Sequence, residues 1–168
     1  MNAKEIEQKA QDVVGALKLS AAPVDVEKIA ILHGIEVGRA PSPKFSGILI
    51  RKNGKSLLGL NSSESDVRQR FTVAHELGHY FLHGNRDVFV EYRENKKRLG
   101  QRHSLKEMQA NMFAAALLMP EEQLKKDVTA MEKSGILENC HIEVLARKYD
   151  VSEQAMNIRL INLKFPHR

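Results

Sequence analysis

Residues 73–83 contain the pattern H-E-x-x-H, formed by His75, Glu76 and His79. On an α-helix, residues four positions apart lie on one face, so both imidazoles can bind the same metal ion. Glu76 then points to the side of the pair, towards a metal-bound water molecule. At about 100° per residue, the apolar residues of this segment fill one arc of the helix and the histidines fill the adjoining arc. The pattern therefore predicts a helix with a metal site beside its core-facing stripe.

A catalytic zinc site with two histidines needs a third protein ligand. A second predicted helix, residues 104–118, carries Glu107 and Asn111 on one face. Glu107 is suited to bind the metal, and Asn111 is suited to orient a histidine through a hydrogen bond. However, Ser104 and Glu107 also fit the S-x-x-E capping box, and spacing alone supports both roles of Glu107 equally. The alternative ligands are Glu121 and Glu122.

The composition describes an ordinary globular protein. At 168 residues, with 42% hydrophobic and 28% charged residues, the chain is long enough for one domain with a real core. The net charge of +5 permits contact with an acidic partner or nucleic acid without requiring it. Cys140 is the only cysteine, which excludes an intrachain disulfide and fits a reducing compartment. Without a long apolar run or a signal-peptide pattern, the expected location is the cytoplasm and no membrane partner is expected.

Two apolar segments, residues 45–50 and 56–60, flank Asn53 and Gly54, which tolerate the positive φ angles of a tight turn. They predict a β-hairpin before the metal-binding helix. The hairpin either supplies an edge strand that binds a peptide by backbone pairing or forms half of the core sheet. Shorter strands are predicted at residues 35–37 and 88–92.

Helical spacing of apolar residues predicts two helices before the hairpin, over residues 6–17 and 26–32. The metal-binding helix is expected to begin near Glu64 or Ser65 and to end by Gly84, where a C-terminal glycine belongs. Residues 93–103 are rich in arginine and lysine. They predict a solvated loop or, alternatively, a lid or a basic contact for an acidic partner.

The segments RFTVAHELGH (residues 70–79) and EMQANMFAAALLMP (residues 107–120) together resemble the ImmA/IrrE family of metallopeptidases. The resemblance implies an α+β, zincin-like fold, with a short antiparallel sheet or hairpin packed on the H-E-x-x-H helix. It also implies that His75, His79 and Glu107 are zinc ligands and that Glu76 is the catalytic base. Glu107 and Asn111 match the family pattern E-x-x-A-[ND], which is similar to the gluzincin arrangement.

The end of the chain resembles a DNA-binding motif. Residues 145–160 are similar to the two central helices of a helix-turn-helix, with Ser152 as the cap of the second helix. In the family that the chain resembles, such helices belong to the peptidase unit. We therefore predict a peptidase core at residues 1–134 and a helical segment at residues 135–168 that is part of the same unit. The segment is expected to support the structure or dock the substrate, with direct DNA contact as the alternative.

These observations predict a zinc-dependent endopeptidase, with manganese as a possible replacement in the cell. By resemblance, its substrate is a helix-turn-helix repressor, whose cleavage would derepress stress, phage or mobile-element genes. The alternative is a non-proteolytic zinc-containing regulator or antitoxin that binds a protein or DNA. His83 is expected to orient a ligand or contact substrate. The candidates for stabilising the oxyanion are His83, Tyr80, Tyr92, His103 and His141.

Overall fold

A computed structural model describes residues 1–16, 22–84, 88–92, 105–131 and 139–165. The helices in these ranges are α1 (Ala3–Ala16), α2 (Val26–Leu32), α3 (Asp66–Leu82), α4 (Leu105–Leu118), α5 (Glu121–Met131), α6 (Asn139–Tyr149) and α7 (Glu153–Asn162). The strands are β1 (Ile35–Ala40), β2 (Phe45–Lys52), β3 (Lys55–Asn61) and β4 (Val88–Tyr92). The predicted α+β class is confirmed.

The four strands form one sheet in the order β1-β3-β2-β4. The predicted hairpin is present, and Asn53 and Gly54 form its turn with φ angles of 53° and 75°. Strand β4 also pairs antiparallel to β2, whereas β1 pairs in parallel with β3, so the sheet is mixed. The hairpin therefore occupies the centre of the sheet, and β1 and β4 are its edges.

Helix α3 lies between the sheet and α4. It begins where predicted, because the Ser65 side chain accepts a hydrogen bond from the backbone N–H of Arg68. It ends at Leu82, with His83 as its C-terminal cap. Residues 72–79 are all buried, which is unusual for an amphipathic helix and shows that α3 is covered on both the apolar and the polar side.

Two glycines allow the close packing around α3. A Cβ atom added to Gly78 would lie 2.9 Å from the Cα atom of Ala110, so α3 and α4 cross almost in backbone contact. A Cβ atom added to Gly47 on β2 would lie 2.3 Å from a methyl group of Thr72. Larger residues at these positions would move α3 away from α4 or from the sheet.

The helices at the end of the chain pack on the earlier ones. The turn between α6 and α7 contains Asp150 at a φ angle of 51°, and Ser152 caps α7. From α7, the buried Arg159 side chain donates to both carboxylate oxygens of Glu7 on α1 and to the carbonyl oxygen of Met119. Arg70 on α3 donates to the carbonyl oxygen of Asp150. The two helices are thus bound to α1, α3 and the end of α4.

Several predictions concern residues outside the described ranges. These include the basic loop at residues 93–103, the cap residue Ser104 and the predicted boundary between residues 134 and 135. In the ranges that the structure does describe, no helix is both long enough and apolar enough to cross a bilayer.

Candidate metal centre

Helices α3 and α4 bring three potential metal ligands together. The Nε2 atoms of His75 and His79 are 3.1 Å apart. The carboxylate oxygens of Glu107 lie 3.3 Å from the Nε2 atom of His75 and 3.4 Å from that of His79. Both histidines are 2% exposed, whereas the Glu107 side chain is 38% exposed. The cluster is therefore open to solvent on the side of Glu107 and buried on the side of the histidines.

These distances fit a single tetrahedral metal ion. With zinc–ligand bonds of about 2.0–2.1 Å, neighbouring ligand atoms of a tetrahedron are about 3.3 Å apart. The three measured separations, 3.1, 3.3 and 3.4 Å, agree with that value. Two imidazoles and one carboxylate are also a donor set that catalytic zinc sites use, with the fourth position left for water or substrate. The residues present therefore fit a zinc ion.

Asn111 holds the ring of His75. Its side-chain oxygen lies 2.9 Å from the Nδ1 atom of His75, one helical turn beyond Glu107 on the same face of α4. Since an amide oxygen only accepts hydrogen bonds, His75 carries its proton on Nδ1 and presents the Nε2 lone pair to the centre of the cluster. This is the arrangement that keeps a histidine ready to bind a metal.

A longer chain of hydrogen bonds fixes His79. The Gln109 amide nitrogen donates to the carbonyl oxygen of Met1 at 2.8 Å, so its oxygen faces the Nε2 atom of His83 at 3.0 Å. His83 must then be protonated on Nε2, and its Nδ1 atom accepts from the Nδ1 atom of His79 at 3.2 Å. His79 is left with its Nε2 lone pair directed at the cluster.

The electrostatics favour the metal-binding protonation states. Burial lowers the pKa of His79, which keeps its imidazole neutral. The neighbouring imidazoles of His75 and His79 lower the pKa of the Glu107 carboxyl, which keeps it ionised. Neutral imidazoles and an ionised carboxylate are the forms that bind a divalent metal ion.

Glu76 lies on the sheet side of α3. It is 1% exposed, and its carboxylate lies 3.5 Å from the position that a Cβ atom would take at Gly47 on β2. The absence of a side chain at Gly47 thus leaves room for the Glu76 carboxylate between helix and sheet. Glu76 directly follows His75 on the helix.

The other predicted candidates lie elsewhere. The Tyr80 hydroxyl donates to the carbonyl oxygen of His33, and the Arg51 guanidinium covers the Tyr80 ring. The alternative ligands Glu121 and Glu122 contact Lys125 instead of the cluster. His141 lies on α6 and is not a member of the metal-ligand cluster formed by the described residues. Two candidates cannot be placed because their side chains lie outside the described part of the chain: Tyr92 and His103.

Two contributors to the site were missed at the sequence level. The only indication of Gln109 in the sequence is that a polar residue lies beside the apolar stripe of α4. Residue spacing cannot show that its side chain reaches both His83 and Met1. Phe89 on edge strand β4 stacks on the ring of His79, with centroids 4.5 Å apart and an interplanar angle of 19°. The first contact spans 26 residues or more and the second joins a helix to a strand, so no local pattern reveals either of them.

Known proteins share parts of this sequence. Residues 32–161 match the family described as IrrE N-terminal-like domain. The radiation response metalloprotease IrrE of Deinococcus deserti is 36% identical over 94 residues, which are 55% of this chain and 31% of that protein. Metallopeptidase ImmA of Bacillus subtilis is 30% identical over 102 residues, covering 61% of this chain and 54% of ImmA. IrrE of Deinococcus radiodurans is 30% identical over 101 residues, covering 56% and 30%.

The extent of these matches differs between the family and the individual relatives. This chain aligns with between 30% and 54% of the length of the three relatives. The family match, in contrast, covers most of the chain and includes α3, α4 and all three members of the ligand cluster. On this basis the chain belongs to the IrrE N-terminal-like domain family.

Proposed function

We propose that this protein is a zinc-dependent endopeptidase in which His75, His79 and Glu107 hold the metal and Glu76 is the general base. The observation that carries the proposal is the set of separations between the three ligand atoms, which match the edges of one zinc tetrahedron. The names of the relatives, which include metalloprotease and metallopeptidase, support the same activity.

Each residue of the site would have a separate role in peptide hydrolysis. When bound, zinc lowers the pKa of a water molecule and polarises the scissile carbonyl group. Glu76 takes a proton at its carboxylate and passes it to the leaving nitrogen. Asn111 and His83 hold the two imidazoles in the tautomers that leave Nε2 unprotonated. Manganese, which also accepts imidazole and carboxylate ligands, is a possible replacement in the cell.

The proposed substrate is a helix-turn-helix repressor in the cytoplasm, whose cleavage would derepress stress, phage or mobile-element genes. This part rests on the resemblance to the ImmA/IrrE peptidases. The overall charge of +5 is compatible with an acidic surface on such a partner.

The composition of α7 favours a substrate-docking role over DNA contact for the C-terminal helices. Sequence-reading helices of a helix-turn-helix present basic and polar side chains to the major groove. The only basic residue in α7 is Arg159, and it is buried in its ion pair with Glu7. On α6, Arg147 and Lys148 are each paired with a carboxylate. The arginine and lysine side chains of α6 and α7 are therefore all paired with carboxylates within the protein.

The test is incubation of the protein with the repressor encoded beside it, with and without zinc or manganese, followed by intact mass measurement. Wild type should produce two metal-dependent fragments, and Glu76→Gln should produce none while retaining the metal and the repressor. An intact repressor that copurifies equally with both proteins would instead favour the non-proteolytic regulator.

A further inference from the structure

A cleft of about 580 Å³ lies between α3, α4 and α7. Most of its wall is apolar, with contributions from Phe71 on α3, Ala115 on α4, Met119 just after α4, and Ala155 and Ile158 on α7. Its volume falls within the range of about 300–1,000 Å³ that is typical of ligand sites. The cleft is therefore large enough to hold several side chains of another molecule.

The cleft begins at the metal centre. Asn111, which accepts the hydrogen bond from His75, also lines the cleft. Phe71, another lining residue, stacks on the His75 ring with centroids 6.3 Å apart. On α4, Glu107, Asn111 and Ala115 follow one another at intervals of four residues, so the helix face that carries the ligand continues into the cleft wall. A molecule in the cleft would thus lie next to residues that contact the metal-ligand cluster.

The cleft results from small side chains and is accessible to solvent. Ala115 and Ala155, on α4 and α7, are both only half-buried, and larger residues there would fill the space between the two helices. Ile158 on the cleft wall is 50% exposed, an apolar surface in contact with water. Covering this surface with another apolar group is favourable, because it removes apolar area from water.

The charge of the cleft points to an uncharged occupant. Arg68 is the charged residue among those that line it. Its guanidinium lies 3.7 Å from a carboxylate oxygen of Glu64 and over the Phe71 ring. Its charge is therefore already balanced within the protein, which argues against a phosphate or another anion as ligand.

We infer that this cleft binds apolar side chains of the polypeptide substrate immediately beside the scissile bond. The inference rests on the proposed function, since it takes the substrate to be a polypeptide bound across the metal centre. The cleft makes α7 part of the substrate site and selects peptides with large aliphatic or aromatic residues next to the bond that is cut.

The experiment measures which peptides the full chain captures. The protein is loaded with zinc and carries Glu76→Gln, so that it binds peptides without cutting them. A random-sequence decapeptide library is passed over the immobilised protein, and the retained peptides are sequenced by mass spectrometry. Ala155→Phe fills the cleft, and Ile158→Asp places a charge on its exposed rim without disturbing the core. Ala130→Phe, at an exposed position of α5, is the matched control. Zinc content and melting temperature are measured for every variant.

We expect Glu76→Gln to retain peptides rich in Leu, Ile, Phe and Met. Retention should fall by about tenfold or more in Ala155→Phe and Ile158→Asp and remain unchanged in Ala130→Phe. Each of three results would overturn the inference. Ile158→Asp could retain as much peptide as Glu76→Gln alone, the retained peptides could lack an apolar preference, or no peptide could be retained.

The proposed function is tested separately by incubating wild type with the same library. If wild type cuts no peptide while capture depends on the cleft, the cleft binds apolar peptides but the peptidase assignment fails, and with it the placement of the cleft beside a scissile bond. If wild type cuts peptides while capture ignores the cleft variants, the peptidase stands and the cleft assignment fails.

Discussion

Replacing Gly78 with alanine tests whether the close crossing of α3 and α4 determines the metal centre. The new Cβ atom would lie 2.9 Å from both the Cα and the carbonyl oxygen of Ala110, whereas ordinary contacts begin at 3.4 Å. Because both obstructing atoms belong to the backbone, no side-chain rotation relieves the overlap. The two helices must separate by about 0.5 Å.

The expected loss of stability follows from two opposing effects. Overpacking against backbone atoms costs about 3 kcal/mol, at the upper end of the usual range. Alanine returns about 1 kcal/mol through its higher helix propensity. The net decrease in the free energy of unfolding should therefore be about 2 kcal/mol.

The same separation should weaken metal binding, because α4 carries Glu107 and α3 carries both histidines. Metal–ligand distances are held within about 0.2 Å in a good site, which is less than the expected shift. We expect zinc affinity to fall by about tenfold or more. Urea unfolding of the metal-free protein and competition with a chromogenic chelator measure the two effects.

Gly15→Ala provides the matched control. Gly15 lies in α1, where no heavy atom comes within 4 Å of an added Cβ atom. This substitution should raise stability by up to about 1 kcal/mol and leave zinc affinity unchanged. If Gly78→Ala behaved like Gly15→Ala in both measurements, the reasoning about the helix crossing would be refuted.

Three further predictions address the surroundings of the site. Gln109→Met removes the acceptor that orients the second histidine, so zinc affinity should fall by about 10- to 100-fold with the fold retained, and an unchanged chelator titration would contradict this. Arg159→Met leaves its carboxylate partner on α1 unpaired, so the free energy of unfolding measured with urea should fall by about 3 kcal/mol. The control Arg147→Met, at an exposed ion pair, should lower it by under about 1 kcal/mol, and equal effects of the two variants would disprove the prediction. For the metal-free protein, the lowered pKa values of His79 and Glu107 mean that the unfolded state binds more protons, so stability should decrease as pH falls below about 6.5 and again below about 4.5. A urea midpoint that rises on acidification would show the opposite sign.

The parts of the site that depend on one helix could be predicted from the sequence. The positions of His75, Glu76 and His79 follow from the helical repeat, and Ser65 shows where the helix begins. The position of Glu107 could not be predicted in this way, because spacing supported both a capping and a ligand role. Its place opposite the histidines depends on how closely α3 approaches α4, and that distance is set by Gly78.

The sheet shows the same limit. The hairpin was predictable because its turn residues are adjacent in the sequence. The parallel pairing of β1 with β3 was not, because the hairpin strand β2 separates the two partners along the chain. A local pattern also gave no indication that the hairpin would be central and that β4 would be the edge beside His79.

The ion pair between Glu7 and Arg159 has a consequence for biosynthesis. The two residues are separated by 152 positions, so α1 is synthesised long before α7. Arg159 must leave the ribosome before the pair can form. Contacts with such large sequence separation form late, because the entropy of closing the intervening chain must first be overcome. Since α1 also packs on α4, the helix that carries Glu107, the final position of α4 is expected only after α7 has docked on α1. Tight metal binding is therefore expected to appear late in folding.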